Sequence, residues 1–304
     1  MKIGPNDKCH CGSQIKYKKC CMHDKLPPKG VLTMAYEYGT SDPFFARLFW
    51  QILKIRNHVY PEQEKRLIFD KLHMSIFQNL MEARTAKDKC IEAVTQHQDQ
   101  IKSGVAGRYD KAQGIIRIDK PVELEANLFF KDFFIRGTMA IKNTIAVADF
   151  IGYKISFLFG DDKKFTNKKE EFLQAWTTER HRKWLTHMEN YRNGWYKAFA
   201  DLRGEIEHRG YKLPDIKYVL DKDENIKIIF PTFDCMKLDD FLNEEWEGLF
   251  RFCEEIIVFL LSAKLPSPFE VVLVPKEKRK PEQPIKYAIA IRFPGSDTPT
   301  VINN

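Results

Sequence analysis

Four cysteines crowd into the run Cys9-His10-Cys11-Gly12-Ser13-Gln14-Ile15-Lys16-Tyr17-Lys18-Lys19-Cys20-Cys21, while Cys90, Cys235 and Cys253 are scattered. Two close pairs separated by a turn can bring four thiolates to one tetrahedral Zn²⁺, at about 2.3 Å from sulfur to metal. Gly12-Ser13 suits the turn, and Lys16, Lys18 and Lys19 offset part of the negative charge of four thiolates. Metal binding would also fold a segment too short to build its own core. A closed four-ligand site leaves no open position for water, so its expected role is structural or docking, not catalytic.

A second element, Asp201-Leu202-Arg203-Gly204-Glu205-Ile206-Glu207-His208-Arg209-Gly210-Tyr211, pairs an arginine with a histidine near the expected end of a long helix. A histidine titrating near neutrality can shuttle a proton at a ribose 2′-OH or leaving group, and an arginine can stabilise charge gathering on a phosphorane. Positions five apart on a helix stand about 140° apart, so one helix aims Arg203 and His208 poorly at one atom. A dimer interface or an irregular helix end would help them converge. The same spacing class recurs at Arg66/His73, Arg180/His187 and Arg182/His187. A non-catalytic reading also fits: His208 and Arg209 complement a helix C-terminus, and Arg203–Glu207 and Glu205–Arg209 form i,i+4 pairs.

The run from Asn6 to Cys21 resembles the SEC-C motif, a small zinc-binding module, in its Cys-x-Cys-Gly-Ser start, its basic Lys-Tyr-Lys-Lys segment and its closing Cys-Cys. Gln14 and Ile15 depart from the usual Gly and Lys. The resemblance implies Cys9, Cys11, Cys20 and Cys21 as ligands of one structural Zn²⁺, with His10 and His23 as substitutes. The element around Arg203 and His208 resembles the HEPN superfamily, helical bundles with an Arg-x4-6-His motif that often act as metal-independent ribonucleases. That resemblance implies Arg203 and His208 as the catalytic pair, a homodimer that brings two motifs together, and a toxin or phage-defence role. Gly204 stands where active members usually carry a polar residue.

The surrounding composition is that of a folded chain: 304 residues, 43% hydrophobic and 30% charged. The longest strongly apolar charge-free run, Ile256 to Ala263, is far shorter than the roughly 20 residues that span a bilayer. The N-terminus lacks the apolar core of a secretory signal. Seven unevenly placed cysteines fit a reducing compartment better than a disulfide scaffold. The expectation is therefore a cytoplasmic protein without a membrane span. The net charge of +7 is concentrated at one end: residues 1–32 hold seven Lys against two Asp, or +5, leaving +2 for the rest. Thr178 to Trp184 is basic and aromatic, as an RNA-contacting face can be, but nearby glutamates fit a solvated mixed-charge helix. No Gly-Lys-Ser/Thr phosphate loop, dinucleotide turn, Gly-x-Ser-x-Gly elbow or His-Glu-x-x-His is present.

Hydrophobic periodicity predicts the elements that hold these residues. Residues 1–23 read as the zinc knuckle and 24–32 as a Pro-containing linker. Residues 33–122 read as an N-terminal helical region, opening at Ser41-Asp42-Pro43. Residues 123–212 read as the HEPN-like bundle, with one long helix from Leu124 to Phe159. A second runs from about Lys168 to His208, with a candidate break at Asn193-Gly194. Residues 213–304 add a hairpin (Ile216–Leu220 with Ile226–Phe230), a helix from Leu238 to Leu261, and two terminal strands, Phe269–Val274 and Tyr287–Phe293. The charged Pro275–Pro284 stretch between those strands reads as an exposed linker. The fold expected is mainly α, with a small antiparallel β appendage near the C-terminus. Two functions follow: an RNA-binding or RNA-cleaving protein, or a non-catalytic adaptor whose zinc motif docks to a protein or ribosomal partner.

Overall fold

The computed structural model describes residues 4–8, 16–19, 41–104, 108–110, 112–118, 122–222, 225–233, 235–293 and 298–302. The chain divides into two compact units, Met1–Gly39 and Thr40–Asn304.

The larger unit is mainly helical. Its first helix starts where the sequence says it should: Pro43 sits in the first turn and the Asp42 carboxylate accepts the Phe44 N–H at 2.8 Å. This helix, α1 (Pro43–Phe45), runs through a π-helical turn, Ala46–Gln51, into α2 (Ile52–Val59). The long α3 (Gln63–Lys102) leads to a hairpin of β1 (Arg108–Asp110) and β2 (Ile115–Arg117), and α4 (Val122–Ile151) then returns along α3. Two contacts fix the antiparallel register: Cys90 Sγ donates to the Ala126 carbonyl at 3.3 Å, and Arg136 pairs with Glu82 at 2.8 Å. The two helices share an extensive interface, and the β1–β2 hairpin stands between them in sequence.

Two helix expectations need correction. The helix from Leu124 does not reach Phe159. It ends at Ile151, because Gly152 adopts a left-handed φ of 99° and Tyr153 N–H closes back on the Ala148 carbonyl at 2.9 Å. Nor is Lys168–His208 one helix with a break at Asn193-Gly194. It comprises the end of α5 (Asp162–Ala175), α6 (Glu179–Tyr191) and α7 (Lys197–His208). The break falls at Trp176–Thr178, where Thr178 caps α6 and the Trp176 ring stacks on Tyr153 at 4.2 Å. Asn193 and Gly194 lie in a π-helical turn, Arg192–Tyr196, that carries α6 into α7 without interruption.

The expected hairpin forms as β3 (Lys217–Leu220) and β4 (Ile226–Ile229), and β5 (Thr232–Phe233) pairs with β6 (Met236–Lys237). Helix α8 (Leu238–Ala263) then enters the core. After it, β7 (Phe269–Leu273), β8 (Tyr287–Ile291) and β9 (Thr300–Val301) make an antiparallel sheet in that order. Helix α8 is the centre of packing: Leu242, Leu249, Cys253, Ile256 and Leu260 have no exposed surface, against α2, α3 and α4. Gly248 on α8 is required by close approach. A Cβ there would lie inside the Trp195 indole, whose Nε1 donates to Glu245 at 2.8 Å.

Candidate functional site

Of the expected zinc ligands, Cys9, Cys11, Cys20 and Cys21 lie outside the described residues, as do His10 and His23. Their flanks are described. Asp7 accepts the Tyr17 N–H at 2.8 Å, Pro5 accepts the Lys18 N–H at 2.9 Å, and Lys8 bridges Lys16 in antiparallel fashion. Lys8 precedes Cys9, and Lys19, last of the short 3₁₀ turn Tyr17–Lys19, precedes Cys20. The described backbone before Cys9 is therefore hydrogen-bonded to the described backbone before Cys20. Lys16 and Lys18 are exposed. By its chemistry the donor set, four cysteines in two close sequence pairs, fits a four-thiolate ion. Among the described residues no group of three or more His, Cys, Asp or Glu could hold a metal.

Arg203 and His208 lie on the last two turns of α7, on either side of one acid. Arg203 forms an ion pair with Glu207, and His208 Nε2 stands 3.8 Å from the same carboxylate. Arg209 pairs with Glu205 at 2.5 Å, completing both expected i,i+4 pairs. His208 is 71% exposed, and a Cβ on Gly204 would meet nothing within 4 Å. The two side chains share a neighbour, but on an open helix face rather than in a cleft.

The basic, aromatic stretch from Thr178 to Trp184 is not an aromatic surface. Trp184 is buried and stacks on Phe259 at 4.4 Å, His181 is buried beside Tyr153, and Arg180 bonds to Ser262. Its helical period turns the rings inward and leaves Glu179, Arg182 and Lys183 outside.

Two groups of functional weight come from chain segments far apart in sequence. The first is an ion cluster on α8. Glu254 is wholly buried, gripped by the Arg47 guanidinium through both oxygens and by Gln51 Nε2 at 3.1 Å. Its neighbour Glu255 accepts from His187 Nε2 and Lys286 Nζ, each at 2.7 Å. Burial raises the Glu255 carboxyl, but these two hydrogen bonds outweigh it and hold it below the ordinary carboxylate range. Burial, with Glu255 nearby, pushes the Tyr191 hydroxyl up to about 12 and Tyr287 higher still, so both stay protonated.

The second is a cavity of about 630 Å³ between α2 and the β7–β8–β9 sheet. Gln51 joins it to the ion cluster: its Oε1 accepts the Lys286 and Tyr287 N–H groups, each at 2.7 Å, while its Nε2 reaches Glu254. The Pro275–Pro284 stretch is largely exposed, as expected of a linker, and it is also built into the cavity wall. It folds through a short 3₁₀ turn, Lys276–Lys278, and lays Lys278, Arg279 and Lys280 along the cavity. The only sequence signal for this was a run of basic residues set between two strand-like runs. Periodicity is blind to a cavity made by residues 51–58 and 273–302.

The SEC-C motif family matches residues 6–22. No curated protein and no solved structure matches the chain. No helix among the described residues is long and apolar enough to cross a membrane.

Proposed function

We propose that the protein is an adaptor: residues 6–22 fold around one structural Zn²⁺ held by Cys9, Cys11, Cys20 and Cys21, and dock an acidic protein or ribosomal partner. The helical unit serves as scaffold. The SEC-C match to residues 6–22 carries this reading. The tied backbone flanks and the exposed Lys16 and Lys18 support it, because thiolate ligands need a fixed turn and an acidic partner needs a basic face. The zinc is structural in this reading and performs no chemistry. Elemental analysis of the purified chain tests it, with about one zinc per chain expected and none in Cys11→Ser/Cys20→Ser. The same substitution, or chelation, is expected to abolish partner capture. Zinc-free wild-type protein that captures the same partner overturns the reading.

A second reading rests on one observation, the approach of Arg203 and His208 to the same Glu207 carboxylate. In it, two copies of the chain bring two such clusters together to bind or cleave RNA without metal, as in a HEPN-like homodimer of toxin or phage-defence type. Mixed cellular RNA incubated with wild type and His208→Ala in EDTA decides it. Cleavage by wild type alone, leaving cyclic-phosphate ends, is the result expected. Equal cleavage, or none from a confirmed dimer, removes His208 from the chemistry.

A further inference from the structure

The cavity between α2 and the β7–β8–β9 sheet combines an apolar base with charge of one sign. Its base is apolar: Ile55, Ala288 and Ile289 are buried, and Leu273 and Val301 are exposed hydrophobics at its edge. Its charge has one sign. Lys54, Lys278, Arg279 and Lys280 line it, with no Asp or Glu among the described lining residues.

Elsewhere in this unit, arginines and lysines near the core are answered by acids. Arg47 meets Glu254, Arg56 meets Asp70, Arg192 and Lys197 meet Asp162, and Lys286 meets Glu255. Lys278, Arg279 and Lys280 have no carboxylate partner among the described residues. Arg279 is nonetheless held in place, since its Nε donates to the Val274 carbonyl at 3.0 Å. A fixed guanidinium with its outer nitrogens unspent is suited to bind a planar or tetrahedral oxyanion.

The polar groups inside are mostly committed. Gln51 is spent at both ends, and Asn57 Oδ1 accepts from Arg56 at 2.7 Å. The Lys54 carbonyl can only accept, so His58 Nδ1, at 3.0 Å from it, carries a proton. That leaves His58 Nε2 as the polar atom the ring can turn to a ligand, with the ring seated edge-on against Phe269 at 5.2 Å. Gln283 and Tyr287 add polar groups to a wall that is otherwise largely apolar. The volume suits a small organic molecule.

We propose that this cavity is a binding site for an amphipathic organic anion: a carboxylate or phosphate head held by Lys278, Arg279 and Lys280, and an aromatic or aliphatic body against Ile55 and Ile289. Arg203 and His208 do not line it.

The test uses the full chain and the fluorescent aryl sulfonate 8-anilinonaphthalene-1-sulfonate. Saturable binding of one dye per chain is expected, weakened at least about tenfold in Lys278→Glu/Lys280→Glu. Lys163→Glu/Lys164→Glu, an equal charge change on exposed α5 positions, is expected to leave binding unchanged. Decanoate and phenyl phosphate then compete against the bound dye. Displacement by decanoate assigns an aliphatic acid, displacement by phenyl phosphate an aryl phosphate ester, and displacement by both supports the shared chemistry. No saturable binding, equal weakening in both double variants, full binding in Lys278→Glu/Lys280→Glu, displacement by neither, or displacement by inorganic phosphate at the same concentration overturns the proposal.

Discussion

The end of α7 and the rim of the C-terminal cavity are both rich in cations, and they differ in what answers the charge. On α7 each arginine has an acid four residues away: Arg203 meets Glu207, and Arg209 meets Glu205. At the cavity, Lys278, Arg279 and Lys280 stand over apolar side chains, and no acid is among the described residues that line it with them. The α7 element is the one whose spacing attracts notice in the sequence. The cavity rim is the one whose charge the fold leaves open. Residue types at a given spacing tell what chemistry is available. Whether counter-charges already occupy those residues tells how much of it is still on offer.

The ion cluster behind the cavity sharpens this contrast from the satisfied side, and it carries the largest expected effect. Glu254 has no exposed surface and answers Arg47 and Gln51 together. Glu254→Ala leaves a guanidinium and an amide without their partner in the core, which costs about 3–5 kcal/mol. Urea denaturation is expected to show that loss, and Arg47→Met/Glu254→Leu to recover much of it. A loss below about 1 kcal/mol in Glu254→Ala would mean water reaches the cluster. The distinction between answered and unanswered charge would then fail at its clearest point.

Glu245 tests the same principle with a carboxylate that lacks a cation. It is buried, and desolvation lifts it to about 7 although Trp195 donates to it. The ordinary value is 4.5, so between about pH 4.5 and 7 the folded chain holds a proton that the unfolded chain has lost. Stability from this group is present at low pH and is lost as pH rises through about 7. By pH 8 the loss is up to about 3 kcal/mol. Glu245→Gln keeps an oxygen for the indole N–H and removes the titration. It is expected to be more stable than wild type at pH 8 and equal to it near pH 4, in urea melts at each pH. A gain of the same size at both would point to packing rather than charge.

How much of this was legible in the sequence depends on how local each signal was. Asp42-Pro43 marked the first helix because a cap and its N–H lie two residues apart. The Ile226 strand paired with the Tyr218 strand because a hairpin is also local. The end of α4 was missed at Gly152 because apolar residues continue through Phe159, and what stops the helix is one glycine's left-handed turn. The break at Trp176–Thr178 was missed because a tryptophan fits a helical period as well as a corner. There it stacks on Tyr153, more than twenty residues away. The cavity was invisible for the same reason in stronger form, since Gln51 and Tyr287 touch only after α8 has been placed. The SEC-C motif at residues 6–22 was legible from residue types and spacing.

The smallest effect probes the α7 end itself. Glu207 lies between Arg203 and His208, and none of the three is deeply buried. Glu207→Gln removes the counter-charge and keeps the shape, so stability is expected to change by no more than about 0.5 kcal/mol, the scale of an exposed i,i+4 pair. Its value lies in a second readout, binding to a fluorescent single-stranded RNA. If Glu207 only neutralises its neighbours, the variant gains RNA affinity through Arg203, and the gain shrinks as salt rises, because phosphate contacts release counterions. If the pair has no business with nucleic acid, affinity stays at the wild-type level at every salt concentration. A gain would narrow the contrast with the cavity rim, since one isosteric substitution would have turned an answered cation into an open one. An unchanged affinity would leave Arg203 as a helix-stabilising partner and direct the search for ligands to Lys278, Arg279 and Lys280.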